Sequence, residues 1–163
     1  MNSTAMTTKV APSNSERGQS LVELAIILLI ILMLLAGIFD LGRAIISYFI
    51  LQDAAEEGII YGTAFPNDCN QITLRIRDNI DQNFIQSPVA VSIMIENASG
   101  TYSSCYSIPY AQVYAGKKMS ITITSNFNIT MPFLGTILNS QIIPLVVTTN
   151  GVILRPPVEA VGG

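Results

Sequence analysis

The chain has 163 residues, 11 acidic against 8 basic side chains, a formal charge of −3, and neither histidine nor tryptophan. A chain this acidic lacks the lysine and arginine surplus that neutralises phosphates, which argues against nucleic acid as a partner. Without histidine the commonest general base and metal ligand is missing, and the length suits one membrane segment plus one domain of about 100 residues.

Residues 1–15, MNSTAMTTKVAPSNS, are rich in Ser, Thr and Asn and read as disordered. The chain then turns apolar. From Leu24 to Phe39 there is no charge, and extending the run back to Leu21 admits one intruder, Glu23. A nineteen-residue helix rises roughly 28 Å, close to a hydrocarbon core of about 30 Å. In lipid the backbone amides can bond only within their own segment, so the run is predicted to be a transmembrane helix. Its apolar side chains go all the way round, without the polar face of a surface helix. A cleaved secretory signal is the competing reading. Its apolar region would be shorter, about 7–15 residues, and would end in small residues. Here the exit is Ile38-Phe39-Asp40-Leu41.

Lys9, Arg17 and the starting amine precede the run, whereas Asp40, Arg43, Asp53, Glu56 and Glu57 follow it. This bias predicts an N-terminus in the cytoplasm and residues 44–163 outside. Asp40 and Arg43 form a helix pair worth only a few tenths of a kcal/mol, and Arg43 is expected to snorkel at the outer boundary. Residues 44–61 keep helical spacing without proline, with Ile45, Tyr48, Phe49, Gln52 and Ala55 near one face. The helix is therefore expected to continue as a stalk, with Gly58 and Gly62 read as C-cap signals and Pro66 as the firm stop.

Asp68 is a candidate N-cap for a short amphipathic helix over 68–86, with Ile72, Ile76, Ile80 and Phe84 at steps of four. The remainder reads as β. Val89, Val91, Ile93 and Ile95 alternate with smaller or polar residues, and 97–104 reads as a turn around Gly100. Met119, Ile121, Ile123, Phe127 and Ile129 form the cleanest alternation in the chain, with Ser125 its only break on the apolar side. Residues 130–141 read as a loop or short helix with an apolar patch of Phe133, Leu134, Ile137 and Leu138. Residues 142–154 form a last strand or pair, with Pro144 at an edge and a tight turn at Asn150-Gly151, before a frayed tail.

Candidate chemistry is sparse. Cys69 and Cys105 have no second pair with which to make zinc spacing, and no Gly-rich phosphate loop appears. Both cysteines follow the membrane run and no third competes, so they are predicted to join in a disulfide in an oxidising compartment. No cofactor and no catalytic site is expected.

The flank of the apolar run is more specific. Gly18 follows Arg17, and Glu23 is the fifth residue after that glycine. This arrangement resembles the processing site of type IV pilin precursors, most closely that of the TadE-like pseudopilins, or minor pilins, of tight-adherence (Tad/Flp) pili. The segment Ala36–Ala44, AGIFDLGRA, resembles that family's exit from the membrane. The resemblance implies a leader, Met1–Gly18, cut by a prepilin peptidase so that the mature chain begins at Gln19. It implies that Glu23 acts in assembly, pairing with the new amine of a neighbouring subunit or serving in recognition. It further implies partnership with other pilus and pseudopilin subunits, alongside membrane lipid, and no small-molecule substrate. The expected class is α+β: a long N-terminal transmembrane helix entering a small exported domain with one short helix and an antiparallel sheet. The expected divisions are 1–18 leader, 19–62 transmembrane and stalk helix, 63–157 extracytoplasmic domain and 158–163 tail. The alternative is a bitopic membrane protein whose outer domain binds a ligand or partner, a class that needs neither Gly18 nor Glu23.

Overall fold

The structure, a computed structural model, describes residues 14–131, 135–136 and 139–154, with side chains described from Gly18 onward. Of the segment expected to be disordered, residues 1–13 lie outside the described residues and residues 14–15 are helical; the apolar patch at 133, 134, 137 and 138 and the frayed tail also lie outside the described residues. Two compact units divide between Ile38 and Phe39.

The first helix, α1, spans Asn14–Ala64. In the first unit its apolar residues are exposed on all sides, Leu21, Leu24, Ile27, Leu28, Leu35 and Ile38 among them. No part of its most apolar window is buried within the protein. Such a surface suits lipid as a solvent, and α1 is long and apolar enough to cross a membrane.

The second unit is α+β. It takes the rest of α1, then α2 (Cys69–Asp78), β1 (Val89–Glu96), β2 (Tyr102–Ser104), a 3-10 turn (Tyr110–Gln112), β3 (Lys118–Asn128) and β4 (Ile142–Val152). The strands form one antiparallel sheet in the order β2-β1-β3-β4. In register, Ile93 faces Ile121, Ile95 faces Met119, and Ile123 stands between Val91 and Val147. These side chains share one buried cluster with Leu51, Ala54, Ala55 and Ile59 of α1 and Ile72 and Ile76 of α2. Each large aliphatic so buried contributes about 1.5–3 kcal/mol. The opposite sheet face carries Ser92, Thr122 and Thr148 in one row, the last two with hydroxyls 3.1 Å apart. The alternation in β3 buries Ser125 with its apolar neighbours.

Four expectations are corrected. The helix predicted over 68–86 ends at Asp78. Asp68 is its N-cap, accepting the Gln71 N–H, but Asp81 accepts the Asn83 N–H at 2.8 Å and diverts the backbone into a separate turn. The segment 97–104 is a hairpin and not only a turn. Asn97 Oδ1 accepts the N–H groups of Ser99 and Thr101, Gly100 takes φ 81°, and β2 returns along β1. Asn150-Gly151 is not a turn but lies within β4, with Gly151 opposite Met119. Finally, Gly58 and Gly62 do not end α1, which runs on to Ala64.

The glycines have a different purpose. A Cβ on Gly58 would lie 2.5 Å from Ile76 Cγ1, and one on Gly62 would lie 2.6 Å from Met119 Sδ. A Cβ on Gly151 would meet both Ile59 Cγ1 and Thr63 Cγ2 at 2.7 Å. These bare backbones let α1, α2 and the sheet approach closely. The face of α1 that packs is accordingly Ser47, Leu51, Ala54, Ala55, Gly58 and Ile59, whereas Ile45, Tyr48 and Phe49 remain exposed. Of the residues expected near one face of the stalk, Ala55 packs, whereas Ile45, Tyr48 and Phe49 do not.

Candidate functional site

Gly18, Gln19 and Glu23 all lie on α1 in the first unit, and all are exposed. Gln19 and Glu23 are four residues apart and therefore share a helix face. A side chain added at Gly18 would meet nothing within 4 Å. Glu23 is flanked by exposed Val22 and Leu24, and among the described residues nothing pairs with its carboxylate. An ionisable group on a lipid-facing surface is costly, about 2.5–3.5 kcal/mol at mid-membrane and less toward the boundary, so its retention calls for a partner or a use.

The first buried residue after the apolar run is also a carboxylate. Asp40, 4% exposed, presents Oδ2 to the backbone N–H groups of Thr130 at 3.0 Å and Met131 at 2.8 Å, just past the end of β3. Its Oδ1 accepts no hydrogen bond and lies 3.5 Å from Arg43 Nη1, an ion pair longer than a hydrogen bond. Arg43 Nη1 in turn donates to Thr130 Oγ1 at 2.8 Å, and the guanidinium sits 5.4 Å from the centre of the Phe127 ring. Arg43 therefore does not simply snorkel. It covers Asp40 from the side and is anchored to the same end of β3. The pair expected to be a marginal surface contact is a clip between the helix exit and the sheet. The only sequence signal was the acid placed directly after an apolar run. Its partners, Thr130 and Met131, carry no mark of their role because they are recognised through backbone N–H groups.

At the other end of α1, Cys69 and Cys105 are joined, with Cα atoms 6.0 Å apart. The bond links the start of α2 to the residue after β2. Arg75 lies over the Tyr61 ring at 4.3 Å and pairs with Glu57 at 3.1 Å, tying α2 to α1 again. Among the described residues there is no group of three or more His, Cys, Asp or Glu side chains placed to hold a metal.

Neither a curated protein nor a solved structure matches the chain. A family model described as TadE-like protein matches residues 18–59. The match begins at Gly18 and takes in Glu23, the lipid-length run, the Asp40 and Arg43 clip and the packing face up to Ile59. Over residues 18–59 the chain is similar to the TadE-like family.

Proposed function

We propose that the protein is a membrane-anchored minor pilin, or pseudopilin, that takes part in assembling a Tad/Flp adhesion pilus. The TadE-like segment supports an association with Tad pilus components. The single observation that carries the finer reading is Glu23, an exposed carboxylate on a lipid-length helix, unpaired among the described residues and one turn from Gln19. In this reading the N-terminus enters from the cytoplasmic side and the second unit lies outside. A prepilin peptidase cuts after Gly18 and creates an amine at Gln19. That amine and the Glu23 carboxylate sit at similar depth, so the amine of one subunit can meet the acid of the next. In hydrocarbon such a pair fixes axial register even where its net energy is small, because slippage leaves both charges unpaired. The role is structural and not enzymatic.

Intact-mass measurement of the chain purified from its native host tests the processing step. The expected product begins at Gln19. A product that begins at Met1, or beyond Gly37, overturns the reading.

A further inference from the structure

In the second unit, the turn after α1, the start of α2 and the segment after β2 enclose an open groove of about 500 Å³. This lies within the roughly 300–1,000 Å³ of small-molecule sites. The Cys69–Cys105 bond lies in its wall and holds the two sides together. Phe65, Tyr106 and Tyr110 line it, and all three stay exposed, Tyr106 at 61%.

Their exposure does not leave them loose. The Tyr106 hydroxyl is 2.8 Å from Thr73 Oγ1 and donates to the Cys69 carbonyl at 3.3 Å, so the ring is tethered at its far end while remaining open. Phe65 packs on Tyr61 with ring centres 5.0 Å apart. Tyr110 starts the 3-10 turn, which is closed by the Gln112 N–H on the Pro109 carbonyl. The Tyr106 and Phe65 rings, already held in this way, lose little freedom when something binds to them, and Tyr110 is fixed at its backbone.

The polar lining narrows the ligand. Asn67 and Asn70 contribute amides, and the Asn67 Nδ2 is a buried donor with no acceptor among the described residues. Asp68 is already engaged by the Gln71 N–H at 3.2 Å and the Tyr61 hydroxyl at 3.3 Å. Among the described residues no lysine or arginine lines the groove, so nothing there selects an anion. The amides make it too polar for an acyl chain. A lining of fixed aromatic faces interleaved with amides suits a neutral molecule with apolar C–H faces and a hydroxyl rim.

We propose that this groove binds a neutral saccharide, with Tyr106 and Tyr110 stacking on its pyranose rings and Asn67 and Asn70 bonding its hydroxyls. The proposal rests on the second unit alone and stands apart from the roles assigned to Gly18 and Glu23.

The full chain, in nanodiscs free of glycosidic detergent, is titrated with maltohexaose and with N-acetylchitohexaose and followed by saturation-transfer NMR. Hexaproline and polygalacturonate serve as the competing occupants. At least one neutral sugar is expected to receive transfer on its ring C–H protons. Tyr106→Ala and Tyr110→Ala are each expected to weaken binding about tenfold, and Tyr106→Phe, which keeps the ring and loses the tether, by less. Tyr110→Ala carries the test alone if Tyr106→Ala alters the thermal melt. No transfer from either neutral sugar at about 10 mM overturns the proposal. So does binding unchanged in both alanine variants, or a preference for hexaproline or polygalacturonate.

Discussion

Asp40 Oδ2 accepts the backbone N–H of Thr130 at 3.0 Å across 90 positions of sequence. With the Met131 N–H on the same oxygen, two donors beyond the end of β3 depend on one carboxylate. Hydrogen bonds to a charged acceptor contribute about 1.5–3 kcal/mol each, and buried donors left unmade cost a similar amount.

Asp40→Ala is therefore expected to destabilise the second unit by about 2–4 kcal/mol, and Asp40→Asn by about half as much, since the amide oxygen still accepts. Arg43→Ala, which removes a partly exposed partner, is expected to cost about 1 kcal/mol. Near-ultraviolet circular dichroism of the tyrosines during thermal unfolding of the full chain measures all three. A melt of Asp40→Ala that coincides with the parent would show that the clip adds no stability.

Gly58→Ala sets two effects against each other. Alanine favours a helix interior over glycine by about 1 kcal/mol, but overpacking a core costs about 1–3 kcal/mol. At Gly58 the obstacle is Ile76 Cγ1 at 2.5 Å, close to the backbone of α2 and slow to yield. At Gly62 it is the sulfur of Met119, on a side chain that can swing aside. Gly58→Ala is expected to destabilise and Gly62→Ala to be nearly neutral. Ile76→Ala should relieve Gly58→Ala, giving a coupling of about 1 kcal/mol in a double-mutant cycle. Purely additive effects would mean that the two residues do not compete for space.

Cys69 and Cys105 enclose 36 positions of sequence separation. For a loop of that size the chain-entropy account gives an upper figure of roughly 4 kcal/mol. Cys69→Ser with Cys105→Ser is expected to lower stability by about 2–4 kcal/mol. Thiol labelling of the unfolded, unreduced parent should find no free cysteine. Two labelled thiols would refute the pairing.

Glu23→Ala is expected to leave membrane insertion intact or ease it, because it removes a group costing up to about 3 kcal/mol at depth. Cleavage after Gly18 should persist, whereas Gly18→Leu should leave the precursor uncut. Pilus formation and copurification with pilus components should fall in both Glu23→Ala and Glu23→Gln. If both variants assemble as the parent does, Glu23 is a passive interfacial residue.

What could be read in advance followed from patterns that are local in sequence. The apolar run from Leu24 to Phe39 announces itself because lipid imposes a length, and β3 because Met119, Ile121 and Ile123 keep a period of two. The Asp68 cap was likewise a matter of three residues. Two failures were local, where Asp81 and Asn97 turn the backbone through their own side chains, and the others are questions of what another segment brings near. Gly151 reads as a turn until Ile59 and Thr63 occupy the space above it. Gly58 and Gly62 read as stops until Ile76 and Met119 are seen to need the bare backbone. Asp40 looked like half of a surface pair because it holds Thr130 and Met131 through their main-chain N–H groups. Gly18 and Glu23 stand out by their spacing alone, whereas the clip has no such pattern in the sequence.

The clip also has a place in time. At about 5–20 residues per second, Asp40 leaves the ribosome between about 5 and about 18 s before Thr130 follows it. For that interval Asp40 has Arg43 beside it but lacks its two backbone partners, and water must serve in their place. Its closure waits on residues that arrive only when all of β3 has been made. A nascent chain halted before Thr130 can form α1, α2 and the β1–β2 hairpin, yet it cannot fasten its helix exit. The acid at position 40 thus distinguishes a chain that has reached Met131 from one halted before it.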